Sequence, residues 1–184
     1  MANTPSNMLP LGSKAANFEL LDTVSNNNRS LSQLKGKQGT AIFFICNHCP
    51  FVIHVNKELV RIADQYISQG VSFIAISSND VVNYPQDGPD LMKENAKKYS
   101  YPFPYLYDDT QEVAKAYDAA CTPDTYLFDE NLNLVYRGQI DDSRPGNSLP
   151  VTGSDLRKAI DHLLLNKGLV EDQKPSIGCN IKWK

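Results

Sequence analysis

Two stretches of the chain are apolar almost throughout, at residues 40–45 and 71–77. Such continuous runs are typical of strands covered on both faces, whereas half-exposed strands alternate apolar and polar positions. Between them, residues 50–69 carry apolar side chains three and four positions apart, which predicts an amphipathic helix ending at Gly70. The order strand, helix, strand predicts a right-handed βαβ unit with parallel strands.

Weaker patterns predict five further elements of an α/β fold. They are a strand at 18–22, helices near 91–99, 110–119 and 154–166, and an antiparallel hairpin formed by 125–128 and 132–137. We expect a central mixed β-sheet flanked by helices. Residues 1–10 are predicted to be a flexible N-terminus, 11–167 one domain, and 168–184 a C-terminal tail packed on or beside it. The tail beyond Lys174 has no recognisable period.

Composition limits the classes of protein to consider. A chain of 184 residues with 41% apolar residues suits one domain. Its 18 Lys and Arg against 21 Asp and Glu leave no positive excess for binding nucleic acid. It contains no apolar run of about 20 residues, as a membrane-spanning helix needs, and residues 1–10 lack the features of a secretory signal. We therefore expect a cytoplasmic protein, monomeric or homodimeric, with no membrane partner.

The chain has four cysteines, and two of them lie at the junction between the first apolar strand and the following helix. A reducing compartment keeps thiols free, so a disulfide there would be transient and catalytic or redox-sensing. Cys46 and Cys49 are three positions apart, close enough to form a small disulfide loop. Unpaired N–H groups and the dipole at a helix start favour a thiolate, which predicts Cys46 as the nucleophile. His48 can add positive charge or a hydrogen bond.

Two other interpretations of this motif remain. Cys46, His48 and Cys49 are all potential zinc ligands, but a structural zinc site needs four ligands, commonly in paired clusters. The sequence has no second CxxC or spaced histidine pair, so we expect no metal and no cofactor. The other alternative is two buried cysteines beside a surface histidine.

Four segments in this order resemble a known family. They are 12–20, 31–37, CNHCPF at 46–51 and CTPDTYLFD at 121–129. Together they are similar to the peroxiredoxin-like, AhpC/TSA-type redoxin branch of the thioredoxin superfamily, over roughly residues 11–165. The resemblance implies a thioredoxin-like fold. It also implies that Pro123 is a cis-proline packed against the active cysteines and that the Thr122 backbone is presented to a substrate chain.

The resemblance implies two chemistries. Peroxiredoxins use a peroxidatic cysteine that matches Cys49, supported by a Thr or Ser three residues before it, a Pro seven before it and an Arg near the central hairpin. Those positions hold Cys46, Ile42 and Pro123 here. Arg137 is the remaining candidate, and arginine at a strand end is usually a surface residue. The polar support for peroxide is therefore incomplete.

Thiol–disulfide exchange needs an exposed thiol of low pKa, a second thiol that releases the mixed disulfide, and a shaped groove, and we expect all three here. We therefore predict a thiol–disulfide oxidoreductase with Cys46 as nucleophile and Cys49 as resolving thiol. His48 would tune the pair, and Thr122 and Pro123 would dock the partner. The expected substrates are protein or small-molecule disulfides and thiols. A thiol peroxidase using Cys49, with peroxides as substrate, and a non-enzymatic redox sensor are the alternatives. No base for deprotonating Cys49 is identifiable.

The sequence leaves the roles of the other two cysteines undecided. Cys121 precedes Pro123 by two residues, so it is either a third thiol able to accept a disulfide from Cys46 or Cys49, or a small buried apolar residue. Cys179 lies on the tail and is either a distant resolving thiol, within one chain or between two, or an ordinary tail thiol.

Overall fold

The computed structural model describes residues 3–184, which form an α/β fold with a large mixed sheet. The strands are β1 (Thr4–Pro5), β2 (Glu19–Asp22), β3 (Asn27–Ser30), β4 (Gly39–Phe44), β5 (Val71–Ser77), β6 (Tyr105–Tyr107), β7 (Cys121–Thr122), β8 (Asp124–Asp129), β9 (Leu134–Arg137) and β10 (Ile177–Asn180). The helices are α1 (Leu31–Leu34), α2 (Pro50–Tyr66), α3 (Pro89–Tyr99), α4 (Glu112–Ala116) and α5 (Ser154–Leu164), with 3₁₀ turns at Ile67–Gln69 and Pro85–Asp87.

Seven strands form the central sheet in the order β3-β2-β6-β5-β4-β8-β9. β4 and β5 run parallel, as do β5 and β6, whereas β8 is antiparallel to β4. The predicted βαβ unit, the hairpin of β8 and β9 and the mixed sheet are therefore confirmed. Because β4 and β5 are parallel neighbours, the loops that follow them leave the sheet at the same edge. The cysteine motif follows β4 at this edge.

β4 is buried on both faces, as its continuous apolar sequence predicts. Phe43 and Ile45 face a core completed by α2, α3 and α5, whereas Ile42 and Phe44 face a second core on the side of α1 and α4. Fully burying each such side chain contributes about 1.5–3 kcal/mol. The dense packing on both sides makes the end of β4 a rigid base for Cys46.

Helix α2 begins at Pro50, where the missing N–H of proline costs no hydrogen bond. The predicted helix is confirmed, with a 3₁₀ turn as its last part, and Gly70 ends it with a left-handed φ of 89°. No helix within residues 3–184 combines the length and apolar character needed to cross a membrane.

The C-terminal tail forms a second, three-stranded sheet in the order β1-β10-β7. Gly178 lies opposite Thr4, and Cys179 lies opposite Thr122. The sequence shows no period here because each strand is only a few residues long and its partners lie far along the chain. The expectation of a flexible N-terminus therefore does not hold for residues 4–6. Those residues are paired with the tail, whereas residues 1 and 2 lie outside the described range.

Two further strands fall where the sequence predicted none. β3 is polar and largely exposed, and it exists because it pairs with β2 in a hairpin. β6 has three residues and lies between β2 and β5. A strand of three residues is too short to establish an apolar period, so only its neighbours define it.

Candidate active site

Both cysteines of the motif lie at the junction of β4 and α2 and are buried, Cys46 with 1% and Cys49 with 0% of its surface exposed. The N-cap residue of α2 is Cys49, not Cys46. The prediction that Cys46 is an accessible thiol at the head of the helix is therefore wrong. The helix begins at Pro50 because proline has the φ of a first-turn residue, and Cys46 stays in the turn before it. The positive end of the helix dipole favours charge on Cys49.

Thr122 contacts both sulfurs. Its hydroxyl oxygen is 3.5 Å from Cys46 Sγ, and its carbonyl oxygen accepts a hydrogen bond from Cys49 Sγ at 3.1 Å. The peptide bond between Thr122 and Pro123 is cis, so the predicted cis-proline is confirmed. The structure therefore brings together Cys46, Cys49, Thr122 and Pro123, as the resemblance implies.

The two sulfurs differ in their tendency to ionise. A hydrogen bond from Cys46, followed by smaller ones from Cys179 and Thr122, lowers the pKa of Cys49 to about 5, against the opposing effect of burial. The hydrogen bond to Cys49, burial and the charge of Asp87 raise the pKa of Cys46 well above its usual value. The Thr122 carbonyl oxygen accepts from the Cys49 thiol and so favours its protonated form. The donors around Cys49 have the larger effect, and its pKa is lowered. The two pKa shifts therefore have opposite directions, with the lower pKa on Cys49.

A buried carboxylate organises the turn between the cysteines. Asp87, fully buried, accepts hydrogen bonds from the Asn47 backbone N–H at 2.8 Å, from His48 Nδ1 at 2.7 Å and from Asn79 Nδ2 at 2.8 Å. The His48 ring also stacks on Tyr84, with centroids 5.7 Å apart. His48 is thus held between Asp87 and Tyr84, beside a negative charge, and its influence on the thiols stays a prediction.

Sequence reasoning missed Asp87. The signal available was its position in the loop after β5, because the loops after two parallel neighbours leave the sheet at one edge. It also missed Asp124, a fully buried carboxyl group directly after Pro123. Burial raises the pKa of Asp124 to about 7. Asp124 lies opposite Phe44 in the pairing of β8 with β4. Phe44 belongs to the second core, on the side of the sheet away from Cys49.

Cys121 is buried and does not join the pair. Its Sγ donates to the Pro123 carbonyl oxygen at 3.6 Å, and burial raises its pKa. Neighbouring residues of a strand point to opposite faces, so Cys121 and Thr122 point in opposite directions. Of the two interpretations of Cys121, this geometry favours the small buried residue.

Cys179 reaches the site from the tail. It lies opposite Thr122 across the antiparallel pair of β10 and β7. Burial, followed by the neighbouring Cys49 thiol, raises the pKa of Cys179 to about 12. With 8% of its surface exposed, Cys179 is the most exposed of the four cysteines. The structure therefore adds a third thiol to the site.

Arg137 is engaged elsewhere. Its Nε donates to the Leu9 carbonyl oxygen at 2.9 Å, and its Nη1 donates to Gln173 Oε1 at 2.7 Å. It pairs with Tyr126 on the far side of β8 from β4. Arg137 therefore supports the N-terminal segment and the tail, and it gives no support to a peroxide bound at Cys49.

One group of side chains in the described part of the chain has the spacing of metal ligands: Cys46, His48 and Asp87, whose ligand atoms lie within 4.8 Å of one another. A structural zinc site takes four ligands. The Asp87 carboxylate already accepts three hydrogen bonds. The absence of a metal therefore stays our prediction.

A mixed sheet, a cysteine pair at a strand-to-helix junction and a cis-proline opposite that pair define a protein of the thioredoxin-fold class. A family model described as "AhpC/TSA family" matches residues 11–137. The chain belongs to this family.

Two curated relatives carry the name thiol-disulfide oxidoreductase ResA. The protein from Halalkalibacterium halodurans is 27% identical over 125 residues, covering 67% of this chain and 65% of its own length. The protein from Geobacillus kaustophilus is 30% identical over 132 residues, covering 70% of this chain and 68% of its own length. The chain thus spans about two thirds of each relative.

Solved structures extend the similarity to the whole chain. An uncharacterized conserved protein from Geobacillus kaustophilus is 58% identical, with a TM-score of 0.98 over 100% of this chain and 97% of that one. A hypothetical protein from Sinorhizobium meliloti 1021 is 46% identical, with a TM-score of 0.96 over 98% of both chains. The thioredoxin domain of a Bacteroides vulgatus thiol-disulfide oxidoreductase, at 18% identity and a TM-score of 0.62 over 82% of this chain and 97% of that domain, shares the fold.

Proposed function

We propose that this protein is a thiol–disulfide oxidoreductase whose redox centre is the Cys46 and Cys49 pair. The observation that carries the proposal is the arrangement of both sulfurs around one residue. Thr122 lies 3.5 Å from Cys46 Sγ through its hydroxyl and 3.1 Å from Cys49 Sγ through its carbonyl oxygen. The names of the ResA relatives support the same chemistry.

The electrostatics favour a role assignment opposite to that predicted from the sequence. Thiolates, not thiols, attack disulfides. The pKa of Cys49 is lowered and that of Cys46 is raised, with Asp87 opposing a second negative charge on Cys46. We therefore assign Cys49 as the attacking thiolate and Cys46 as the resolving thiol, which keeps the proton until Cys49 is engaged.

Exchange then proceeds in two steps. Cys49 attacks one sulfur of a substrate disulfide, forms a mixed disulfide and releases the other substrate sulfur as a thiolate. Cys46 loses its proton to this thiolate or to water and attacks Cys49, so that the Cys46–Cys49 disulfide forms and the second substrate sulfur leaves. The reverse sequence oxidises a dithiol substrate. Protein or small-molecule disulfides and thiols are the substrates that this chemistry requires.

A variant with only the central pair tests the function directly. Cys121→Ser/Cys179→Ser keeps Cys46 and Cys49 as its only thiols. After incubation with glutathione disulfide and acid quenching, we expect peptide mass mapping to find the Cys46–Cys49 disulfide, reversible by reduced glutathione. A folded variant whose two thiols stay free, or carry only glutathione, would remove the proposed function.

The roles of the two cysteines are tested with variants that each keep only one thiol of the pair. Cys46→Ser and Cys49→Ser, each made in the Cys121→Ser/Cys179→Ser background, are mixed with glutathione disulfide at neutral pH. We expect rapid glutathione addition to Cys49 when Cys46 is replaced, and slow addition to Cys46 when Cys49 is replaced. The opposite order of rates would restore the assignment made from the sequence.

A thiol peroxidase using Cys49 remains the second candidate because its lowered pKa also suits reaction with peroxide. The polar groups around the Cys49 sulfur include two thiols, Thr122 and the Val52 backbone N–H, and Arg137 is bound to Leu9 and Gln173. The geometry therefore favours disulfide exchange. A non-enzymatic redox sensor is separated from both by turnover, since a sensor forms its disulfide without catalysing exchange between other molecules.

A further inference from the structure

The backbone next to the cis-proline is already occupied by a strand of the same chain. β10 pairs antiparallel with β7, with Cys179 opposite Thr122 and Asn180 opposite Cys121. Adding a strand through main-chain hydrogen bonds is a common way for proteins to bind an extended peptide. The tail therefore occupies the place at which the resemblance expects a substrate chain to dock.

The fit between the tail and Thr122 is close. A Cβ added to Gly178 would lie 2.0 Å from the Thr122 carbonyl oxygen and 3.2 Å from the Pro123 nitrogen. A pocket of about 20 Å³ next to Pro123 is lined in part by Phe51 and Ile177. The tail thus leaves no room for a second chain at this position, and the buried cysteines meet the tail instead.

The register directs one tail side chain at the cysteine pair. Residues opposite each other in an antiparallel pair project their side chains from the same face. The Thr122 hydroxyl faces Cys46, so Cys179, opposite Thr122, projects towards the pair. Cys121 projects to the other face and donates to the Pro123 carbonyl oxygen.

We propose that β10 is an internal substrate strand and that Cys179 is a third redox-active thiol, which exchanges with the central pair through a disulfide to Cys49. This inference rests on the proposed function and adds to it a specific partner within the chain. It also chooses between the two interpretations of Cys179 that the sequence leaves open. As the most exposed of the four thiols, Cys179 connects the buried pair with solvent.

The exchange step is balanced within the protein. Starting from the Cys46–Cys49 disulfide, the Cys179 sulfur attacks Cys49 Sγ, the Cys49–Cys179 bond forms and the Cys46–Cys49 bond breaks. The proton that leaves Cys179 ends on Cys46, where burial and Asp87 favour the neutral thiol. One disulfide replaces another, so no external oxidant or reductant is consumed. The reverse step returns the disulfide to the central pair.

Cys46→Ser tests this exchange without the competing partner. With glutathione disulfide as the probe, Cys49 forms a mixed disulfide, and Cys179 then displaces glutathione as a thiol. We expect intact mass to show the chain minus two hydrogens and peptide mapping to locate a Cys49–Cys179 disulfide. Cys46→Ser/Cys121→Ser should give the same product, whereas Cys46→Ser/Cys179→Ser should stop at the glutathione adduct.

A second variant weakens the pairing of β10 with β7 and keeps the three thiols of the Cys46→Ser variant. Gly178→Ala, in the Cys46→Ser background, places a methyl group against the Thr122 carbonyl oxygen at a residue whose φ is not positive. A thiol held next to its partner acts at an effective concentration in the millimolar range or above, and we expect closure to slow about tenfold when that proximity is lost. Circular dichroism before the reaction confirms that the variant is folded.

Three results would overturn the inference. These are a stable glutathione adduct in Cys46→Ser, a disulfide that maps to Cys121, and a rate unchanged by Gly178→Ala. The proposed function is judged separately in Cys121→Ser/Cys179→Ser, which has no tail thiol. If that variant forms its disulfide while Cys46→Ser does not close, the tail inference alone fails. If it forms none, the proposed function fails whatever the tail does.

Discussion

Cys179 lies directly opposite Thr122 across the antiparallel pair of β10 and β7. Thr122 in turn contacts the sulfurs of both Cys46 and Cys49. One residue beside the cis-proline therefore connects the tail with the redox centre. A partner chain that pairs with Thr122 along this edge would have to displace β10.

The lowered pKa of Cys49 gives a prediction about pH. Cys46 is the principal donor that lowers the pKa of Cys49 to about 5. In the Cys121→Ser/Cys179→Ser background, the rate of reaction with glutathione disulfide should therefore rise with pH up to about 5 and level off above it. An ordinary thiol would continue to gain rate up to its usual pKa near 9.

Two substitutions at Cys46 test whether this residue causes the lowered pKa of Cys49. In that background, Cys46→Ser keeps a hydrogen-bond donor and Cys46→Ala removes it, so the apparent pKa of Cys49 should be higher in the alanine variant. The rate of reaction with glutathione disulfide, measured against pH for both variants, gives the apparent pKa of Cys49 in each. Identical profiles for serine and alanine would show that Cys46 does not hold the thiolate on Cys49.

Asp87 and His48 should shift the pKa of Cys46 in opposite directions. The charge of Asp87 contributes to the raised pKa of Cys46, so Asp87→Asn should lower it. His48→Ala removes the partner of Asp87 and leaves more of that charge directed at the sulfur, so it should raise the pKa of Cys46. Each change should be up to about one pH unit, equivalent to about 1.4 kcal/mol.

Thiolate absorbance against pH, recorded in a Cys49→Ser background, measures this titration without interference from the lower-pKa thiol. Parallel shifts in both variants would contradict the electrostatic explanation. An unchanged titration after His48→Ala would remove His48 from the control of the pair.

Reaction with hydrogen peroxide should be slow. In the described part of the chain, Arg137 is bound to Leu9 and Gln173, and the residue three before Cys49 is a cysteine in place of a hydroxyl side chain. Stopped-flow oxidation should show a second-order rate no faster than that of a free thiolate of the same pKa. Fast oxidation abolished by Cys49→Ser, but not by Cys46→Ser, would establish the peroxidase instead.

Asp124 should make stability depend on pH. Burial raises its pKa in the folded chain from 3.8 to about 7. Between these values the folded chain keeps a proton that the unfolded chain has lost, so stability is greatest below about pH 4 and falls as pH rises to about 7. The fall has an upper limit of about 4 kcal/mol. Among residues 3–184, Asp124 Oδ1 has no hydrogen-bond partner, whereas Oδ2 accepts from Tyr126.

Asp124→Asn should remove most of this fall, because asparagine stays neutral across the range. Urea unfolding of the reduced protein at pH 5 and pH 8 measures the free energy of unfolding for both proteins. The variant should gain stability relative to the parent at the higher pH. An equal loss at both values would mean that the group acts through packing and not through ionisation.

The sequence by itself determined the centre of this protein. The continuous apolar runs of β4 and β5 and the three-and-four spacing of α2 are local patterns, and they gave the βαβ unit that carries Cys46 and Cys49. The CTPD segment, through its resemblance, gave the cis-proline at Pro123. These features depend on short stretches of chain, whose periodicity and chemistry are visible in the order of residues.

Only the tertiary structure decided which groups surround the sulfurs. Asp87 is 39 positions from His48, and the tail pairs with strands from the beginning and the middle of the chain. A hydrogen bond or a strand register between such distant segments leaves no periodic trace in either one. The charge beside Cys46 and the approach of Cys179 therefore follow from packing, because burial and the distances between charged groups set the acidity of each thiol.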